Sequence, residues 1–320
     1  MHIILTGGGT AGHVIPNIAL IEGLKDSAKI SYIGSKKGIE NELIKDVDFY
    51  SVSTGKLRRY FSLTNLLDFF KVPVGIVESF FLLRKLKPDL IFSKGGYVGL
   101  PVVIGGWLAR IPVIIHESDA IPGLTTKITR KFAKQFWSSY GIEGSKKVEL
   151  PIRQSLREGD PSKFKKDRDV LLVMGGSLGA DALNEFTASH LAELLKQYDI
   201  IHITGKGKQA GKDQEGYTAI EYAGEEMADI YAAADITLCR AGAGTIHELK
   251  ALGKKAVLVP LPTSKSRGEQ FANGKASGYQ IINEEFLTLE TLNNAIANSN
   301  EVVVNEKALN VADLLKESIS

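Results

Sequence analysis

Cysteine occurs once in the 320 residues, at Cys239, so the chain cannot close an internal disulfide, which fits a reducing compartment. A charge of one sign is missing as well. The 39 basic and 37 acidic residues leave a formal net charge of +2, which does not argue for nucleic acid as a partner. Long apolar runs are absent: Val74 to Leu83 is broken by Gly75 and Glu78, so no segment reads as a bilayer span. Met1 leads directly into strand and loop, without the pattern of a signal peptide. No histidine or cysteine cluster has zinc-site spacing. What is present, 44% hydrophobic and 24% charged residues, describes a globular protein long enough for two domains, expected in the cytoplasm.

Short apolar runs alternate with helical patterns along the chain. Strands are expected at His2–Leu5, Ile30–Ile33, Leu90–Phe92, Val113–Ile115 and Gln135–Trp137. A second series follows at Val170–Met174, Ile200–Ile203, Ile236–Leu238, Ala256–Val259 and Gln280–Ile282. Continuous Val/Ile runs between helices point to an α/β chain with parallel sheets covered on both faces. The polar stretch from Arg157 to Asp169 separates the two series, placing the domains at residues 1–156 and 157–304. A C-terminal helix at about residues 305–320 is expected to return to the first domain. Each series starts with a strand and a glycine loop, Ile3 to Gly12 and Val170 to Ala180. Ligands of open parallel sheets sit beyond the carboxyl ends of strands, so two such loops suit two substrates.

The first loop, Gly7-Gly8-Gly9-Thr10-Ala11-Gly12-His13, matches G-x-G-x-x-G and precedes a helical pattern from Asn17 to Lys25. Bare backbone N–H groups there suit a phosphate, and His13 adds a group able to move a proton near neutral pH. A dinucleotide site wants an acidic residue closing the second strand, whereas this strand ends Ile33-Gly34-Ser35-Lys36-Lys37. A Walker loop needs Lys-Ser/Thr where His13-Val14 stands, and a purely structural tight turn is the remaining alternative.

Other motifs also follow strands. In Cys239-Arg240-Ala241-Gly242-Ala243-Gly244-Thr245-Ile246-His247-Glu248, Thr245 is placed to cap a helix, and Arg240 and Thr245 to hold a diphosphate. Glu248 suits a ribose diol, although Thr-x-x-Glu fits a capping box equally well by spacing. Gln270 and Asn273 share a helix face that can bind one sugar. His116-Glu117-Ser118-Asp119 carries triad residue types as sequence neighbours, which do not make a triad. Asp46-Val47-Asp48 and Asp167-Arg168-Asp169 mimic a metal-binding D-x-D, but precede strands, the wrong end of a parallel sheet. Arg58 to Lys71 mixes basic and large apolar residues, as a membrane-surface helix or a core helix would.

Taken together the chain resembles the MurG family, peptidoglycan N-acetylglucosaminyltransferases of the GT-B class. The resemblance is carried by Gly7 to Pro16, Ser93-Lys94-Gly95-Gly96-Tyr97, His116-Glu117, Pro122-Gly123-Leu124-Thr125, Pro151-Ile152-Arg153, Gly175-Gly176-Ser177 with Gly179-Ala180, and Cys239 to Glu248. It implies two Rossmann-like, doubly wound parallel-sheet domains facing across a cleft. It implies inverting, metal-independent transfer of GlcNAc from UDP-GlcNAc to undecaprenyl-pyrophosphoryl-MurNAc-pentapeptide, lipid I, to give lipid II. No cofactor is implied. The implied setting is the cytoplasmic face of the cell membrane, with a cell-wall and division assembly as partner class.

By motif, His13 corresponds to the general base. Thr10, Gly12, Arg153, Ser177, Gly242, Thr245, Glu248, Gln270 and Asn273 correspond to donor-binding positions. Gly8, Gly9, Gly95, Gly96, Tyr97, Glu117 and Asp119 correspond to the acceptor side. Four positions depart from the family pattern: Asp119 replaces its usual Asn, Leu178 its Gln, Ala241 its Ser, and Glu269 the first of paired glutamines. Leu178 cannot hydrogen-bond, and Asp119 sets a negative charge near an anionic pyrophosphate unless a cation compensates. The alternatives are another UDP-sugar transferase with a different lipid acceptor, a UDP-GlcNAc 2-epimerase, and a non-catalytic nucleotide-sugar-binding paralogue.

Overall fold

The computed structural model describes residues 1–55, 63–150, 152–164, 167–176, 178–208, 214–302 and 311–318. Most of the segment from Arg58 to Lys71, together with Pro151 and Ser177, lies outside the described residues or their described side chains. The chain divides into two compact units, Met1–Arg153 with Lys307–Ser320, and Gln154–Glu306.

In unit 1 the elements run β1 (His2–Thr6), α1 (Ala11–Leu24), β2 (Lys29–Ser35), α2 (Glu40–Leu43), β3 (Asp48–Val52), α3 (Leu63–Leu86), β4 (Leu90–Ser93), α4 (Gly96–Leu108), β5 (Val113–Glu117), α5 (Leu124–Thr129), β6 (Gln135–Ser138) and β7 (Lys146–Lys147). The sheet order is β3-β2-β1-β4-β5-β6-β7, with every pairing parallel. Successive strand residues face opposite sides. Ile3 and Leu5 therefore enter one core with α1, while Ile4 enters another with Val102 and Val103 of α4. Gly105 permits the close approach of α3 and α4, since a Cβ there would stand 2.7 Å from that of Ser79. The helix Val311–Glu317 belongs to this unit; its Val311, Leu314 and Leu315 join the core formed by Leu20 and Leu24 of α1.

Unit 2 repeats the plan with β8 (Val170–Met174), α6 (Asp181–Ser189), α7 (Leu191–Leu194), β9 (Asp199–Ile203), β10 (Tyr217–Ile220), α8 (Met227–Ala233), β11 (Ile236–Cys239), α9 (Ala243–Ala251), β12 (Lys255–Leu258), α10 (Glu269–Ser277), β13 (Gln280–Ile281) and α11 (Leu289–Ala297). Its parallel sheet has the order β10-β9-β8-β11-β12-β13. Val170, Leu172 and Met174 face one core, and Leu171 and Val173 the other. All five residues of β8 are buried, which is why it reads as a continuous apolar run.

The sequence reading misses β3, β7 and β10. All three are sheet edges, where Asp48 and Ser51 of β3 and both residues of β7 are exposed, so no buried run marks them. The first helix also starts earlier than the pattern suggests. It begins at Ala11 and carries Pro16 within it, so His13 belongs to its first turn.

In each sheet the strand order reverses beside the first strand, between β1 and β4 and between β8 and β11. Ligands of such sheets bind at this switch point. The glycine loops after β1 and β8, and the motif loops after β4 and β11, stand at these two points.

Candidate active site

At the unit 1 switch point the first glycine loop is packed by its own protein. A Cβ on Gly8 would stand 2.6 Å from Glu40 Oε2, and one on Gly9 would stand 2.2 Å from the Tyr97 ring. Gly9 and Gly96 have φ of +84° and +71°, which favour glycine, and a Cβ on Gly96 would lie 2.3 Å from the Gly8 carbonyl. The Ser93–Tyr97 turn therefore rests directly on the loop. This gathers Gly8, Gly9, Gly95, Gly96, Tyr97 and His13, with a Gly96 Cβ position 3.3 Å from His13 Nδ1.

One loop amide expected to be bare is occupied. Glu40 is fully buried and accepts from Gly9 N–H at 3.2 Å, Ser35 N–H at 3.0 Å and the Ser35 hydroxyl at 2.5 Å. The carboxylate that seemed missing after β2 is thus supplied by α2, where it fixes the loop. Sequence reasoning missed Glu40 because it lies beyond the strand, and only its register with Ser35 brings it back.

Thr10 is the N-cap residue of α1, yet its hydroxyl makes no capping bond; it lies 2.8 Å from His13 Nδ1. With the proton on Nδ1, that nitrogen donates to Thr10 and leaves Nε2 as a base. Gly12 sits exposed in the same first turn.

Beside this loop, at the end of β5, Glu117 organises a turn. One oxygen accepts from Asp119 N–H at 3.1 Å, and the other from Gly123 N–H at 3.1 Å and the Thr126 hydroxyl at 2.5 Å. Asp119 is half-buried on that turn. Beneath it, Lys94 is buried and donates to His116 Nδ1 at 2.9 Å and Ser118 Oγ at 2.7 Å. His116 Nε2 lies 3.0 Å from the Val148 carbonyl, which can only accept, so Nε2 carries the proton and Nδ1 accepts from Lys94. Burial lowers the Lys94 ammonium to about 8, against the charges of Glu117 and Asp119, which favour its protonated form.

Unit 2 is arranged differently. Apart from chain neighbours and the backbone of α9 itself, no atom of the described residues lies within 4 Å of a Cβ position on Gly176 or Gly244, and Gly242 approaches only Thr245 Oγ1 at 3.9 Å. Gly179, at φ +68°, packs against the Thr204 carbonyl, which a Cβ would approach to 1.8 Å. That carbonyl accepts from Asn184 Nδ2 at 3.0 Å, and Asn184 Oδ1 lies 3.0 Å from His202 Nε2. His202 Nδ1 lies 2.9 Å from the Tyr217 hydroxyl, and burial lowers the imidazole to about 4. This buried polar relay sets the loop, and nothing in the sequence pattern marks it.

Three expectations need correction here. Helix α9 begins at Ala243 with Gly242 as its N-cap and no side-chain cap, so Thr245 lies inside the first turn. The capping-box reading of Thr245 and Glu248 fails with it; Glu248 instead accepts from the Tyr231 hydroxyl at 2.9 Å. Arg240 is not available for a diphosphate. It is buried and donates to the Val259 and Pro260 carbonyls at 3.1 and 3.3 Å and to Glu284, tying β11 to β12.

Of the remaining donor positions, Gln270 Oε1 accepts from Leu261 N–H at 2.9 Å. Asn273 is fully buried, its Nδ2 3.4 Å from the Ala241 carbonyl. Asn273 therefore braces the loop after β11. Arg153 ends unit 1, and its buried Nε has no hydrogen-bond partner among the described residues. Leu178 is 80% exposed. Cys239 is buried, which pushes its thiol up to about 12 and leaves it inert. Among the described residues no group of three or more His, Cys, Asp or Glu is placed to hold a metal ion. The two Asp-x-Asp pairs stand at the amino ends of β3 and β8.

Residues 3–138 match the glycosyltransferase family 28 N-terminal domain and residues 170–311 the glycosyltransferase family 28 C-terminal domain. A relative in Legionella pneumophila (strain Lens) is 43% identical over 336 residues, spanning 97% of this chain and 93% of its own. That relative is named UDP-N-acetylglucosamine–N-acetylmuramyl-(pentapeptide) pyrophosphoryl-undecaprenol N-acetylglucosamine transferase. A protein of the same name in Clostridium perfringens (strain 13 / Type A) is 43% identical over 349 residues, spanning 99% of this chain and 98% of its own. Among solved structures, Acinetobacter baumannii MurG is similar with a TM-score of 0.70 and 28% identity, over 92% of this chain and 90% of that one.

Proposed function

The chain belongs to glycosyltransferase family 28, in its MurG branch with the GT-B fold, and from that membership we propose the reaction it carries out. It transfers GlcNAc from UDP-GlcNAc to undecaprenyl-pyrophosphoryl-MurNAc-pentapeptide, with inversion and without a metal ion. The acceptor hydroxyl oxygen bonds to the anomeric carbon as the bond to UDP breaks; its proton passes to His13 Nε2, and UDP leaves as the anion.

The observation that carries this assignment is the open ground around Gly176, Gly242 and Gly244, where a ligand can approach the backbone at the unit 2 switch point. The N-terminus of α9, uncapped by any side chain, points its first-turn N–H groups at a diphosphate placed there. Thr245 lies in that turn and Glu248 one turn on, where a carboxylate held by Tyr231 binds the ribose hydroxyls. In this proposal Arg153 and Ser177 also contact the diphosphate, and Thr10 and Gly12 contact the donor through their backbone, the Thr10 hydroxyl being spent on His13. Gln270 reads the sugar, and Asn273 supports it from below.

His13 is the general base, worth about 10²–10⁴-fold when its pKa suits the reaction. Gly8, Gly9, Gly95, Gly96, Tyr97, Glu117 and Asp119 form the acceptor side of unit 1. Stabilisation of departing UDP falls to backbone dipoles and Arg153, because Arg240 is committed elsewhere.

Among the described residues no helix is long and apolar enough to cross a membrane. Helix α3 instead exposes Phe70, Val74, Val77 and Phe81 at spacings of one turn, with Phe70 62% and Phe81 66% exposed. Exposed Lys71, Arg84 and Lys85 lie on the same helix. An apolar stripe beside basic residues supports residence at an anionic membrane surface, where the lipid-linked acceptor is found.

The deciding experiment offers radiolabelled UDP-sugars to the enzyme with and without a lipid I analogue, in the presence of chelator. Labelled disaccharide lipid formed only with UDP-GlcNAc and acceptor is the expected outcome. Epimerised nucleotide sugar formed without acceptor, donor binding with no transfer, or activity restored only by manganese would refute the reading.

A further inference from the structure

Lys94 is the most unusual charge in unit 1. A lysine is almost never fully buried without partners, yet this one is 2% exposed and has its ammonium inside the end of the sheet. It follows Ser93, the last residue of β4, and its reach crosses to the end of β5 and the turn after it, where it meets His116 Nδ1 at 2.9 Å and Ser118 Oγ at 2.7 Å. Its charge faces those of Glu117 and Asp119. Glu117 is already engaged, holding the turn through Asp119 N–H, Gly123 N–H and Thr126. Asp119 is half-buried next to Ser118 on that turn, and its charge is among those an anion arriving there meets.

We propose that Lys94 is a positioning and specificity residue for the acceptor, the fixed countercharge that lets the Asp119 carboxylate stand beside a pyrophosphate-bearing substrate. The inference rests on the acceptor assignment above and deepens it. An anionic substrate is repelled by a carboxylate in a low-dielectric setting, and a buried cation behind that carboxylate cancels the repulsion at short range where solvent screening is weak. The ammonium also fixes Ser118, so the turn presents the Asp119 oxygens in one orientation. Asp119 thereby stands beside the substrate with part of its repulsion offset. The depressed ammonium pKa agrees with this division of labour: burial opposes the charge and the two carboxylates restore it.

A double-mutant cycle tests the pairing, with acceptor and donor KM measured separately by transfer to a lipid I analogue. Lys94→Met keeps the side chain's length and removes its charge. It is expected to raise acceptor KM about tenfold or more, leaving donor KM within about twofold. Adding Asp119→Asn to that variant is expected to recover most of the loss, because the unbalanced carboxylate has gone. Lys94→Met also takes a donor from His116 Nδ1 and Ser118 Oγ, so its unfolding temperature is expected to fall; the split between acceptor and donor KM, measured on the folded variant, reads the proposal.

Losses that multiply in the double variant overturn the proposal, as does a Lys94→Met effect confined to donor KM or to the unfolding temperature. Should Lys94→Met fail to fold, Ser118→Ala provides the second arm. It is expected to raise acceptor KM about two- to fivefold through loss of one hydrogen bond, and an unchanged acceptor KM refutes the proposal. Failure of the parent enzyme itself to use the lipid I analogue would be a different result, counting against the acceptor assignment and not against the Lys94–Asp119 pairing.

Discussion

The loops after β1 and β8 share a strand–glycine–helix layout and occupy equivalent switch points, but they use their glycines in opposite ways. In unit 1 the space a side chain would need is taken by the protein itself, by Glu40 above Gly8 and Tyr97 above Gly9. In unit 2 the space beside Gly176 and Gly244 holds no atom of the described residues. The supports differ too: a buried carboxylate fixes the first loop, and an uncharged imidazole–amide relay from His202 through Asn184 fixes the second. One motif thus yields a packed shelf carrying His13 in unit 1 and open ground in unit 2, where the diphosphate is proposed to sit. Glycine in such a motif is ambiguous until the neighbouring side chains are known.

The sharpest division between the units is chemical, and His13→Ala probes it with the largest expected effect. Turnover should fall about 10²–10⁴-fold, equivalent to about 3–5 kcal/mol, while calorimetric binding of UDP-GlcNAc stays unchanged. Lost donor binding would mean that the imidazole itself holds the nucleotide sugar. Next in size is the pH response of the second support. His202 is held neutral, with its pKa lowered by burial from 6.5 to about 4. Below pH 6.5 the unfolded chain takes up a proton that the folded imidazole refuses, so stability present above 6.5 is lost as pH falls toward 4. The loss amounts to about 3 kcal/mol and levels off below the folded pKa. Urea unfolding at pH 7 and 4.5 should show it for unit 2, and His202→Gln should remove most of the difference. An equal acid loss in that variant would place the titration elsewhere.

Much of this architecture was legible from sequence because buried parallel strands leave continuous apolar runs, as Val170 to Met174 does. Edge strands such as β3 leave none, since Asp48 and Ser51 face solvent. At the site, motif spacing located His13, the Ser93–Tyr97 turn and the loop before α9. It could not show which polar side chains are already satisfied inside the protein. Arg240 reads as a ligand from its place beside the glycines, yet Glu284, 44 residues away, claims it. Glu40 carries no motif signal, and the motif around Lys94 does not show that its ammonium is buried against His116 and Ser118, because those partners come from elsewhere in the fold. Helix α1 starts earlier than its sequence pattern suggests because Pro16 discourages a helix locally, and packing of Val14, Leu20 and Leu24 overrides it.

A pair of matched glycine substitutions tests the contrast itself. Gly8→Ala puts a Cβ 2.6 Å from Glu40 Oε2, which Gly9 N–H holds while Ser35 holds the other oxygen, so unit 1 should lose about 1–3 kcal/mol of stability. Gly244→Ala meets no described atom and sits in a helix, where alanine gains up to about 1 kcal/mol. Its unfolding temperature should hold or rise while donor KM increases about tenfold, the equivalent of about 1.4 kcal/mol, because the methyl group enters ligand space. If Gly244→Ala leaves donor KM unchanged, the open ground beside α9 is not where the nucleotide lies.

The smallest effect should come from Thr10→Val, which separates aiming the base from holding the loop. Thr10 occupies the N-cap of α1 without capping it, and spends its hydroxyl on His13 Nδ1 at 2.8 Å. A base acting through Nε2 needs the proton on Nδ1, and in the proposed role Thr10 Oγ1 accepts it there. Valine preserves the branched shape and removes that acceptor. With one neutral hydrogen bond worth about 0.5–1.5 kcal/mol, kcat should drop about two- to tenfold at unchanged unfolding temperature. An effect on donor KM would instead assign the hydroxyl to the sugar nucleotide, and a lowered unfolding temperature would assign it to the helix end. Only loss of turnover at constant stability and constant donor KM ties Thr10 to the histidine, and with it the packed loop of unit 1 to proton transfer.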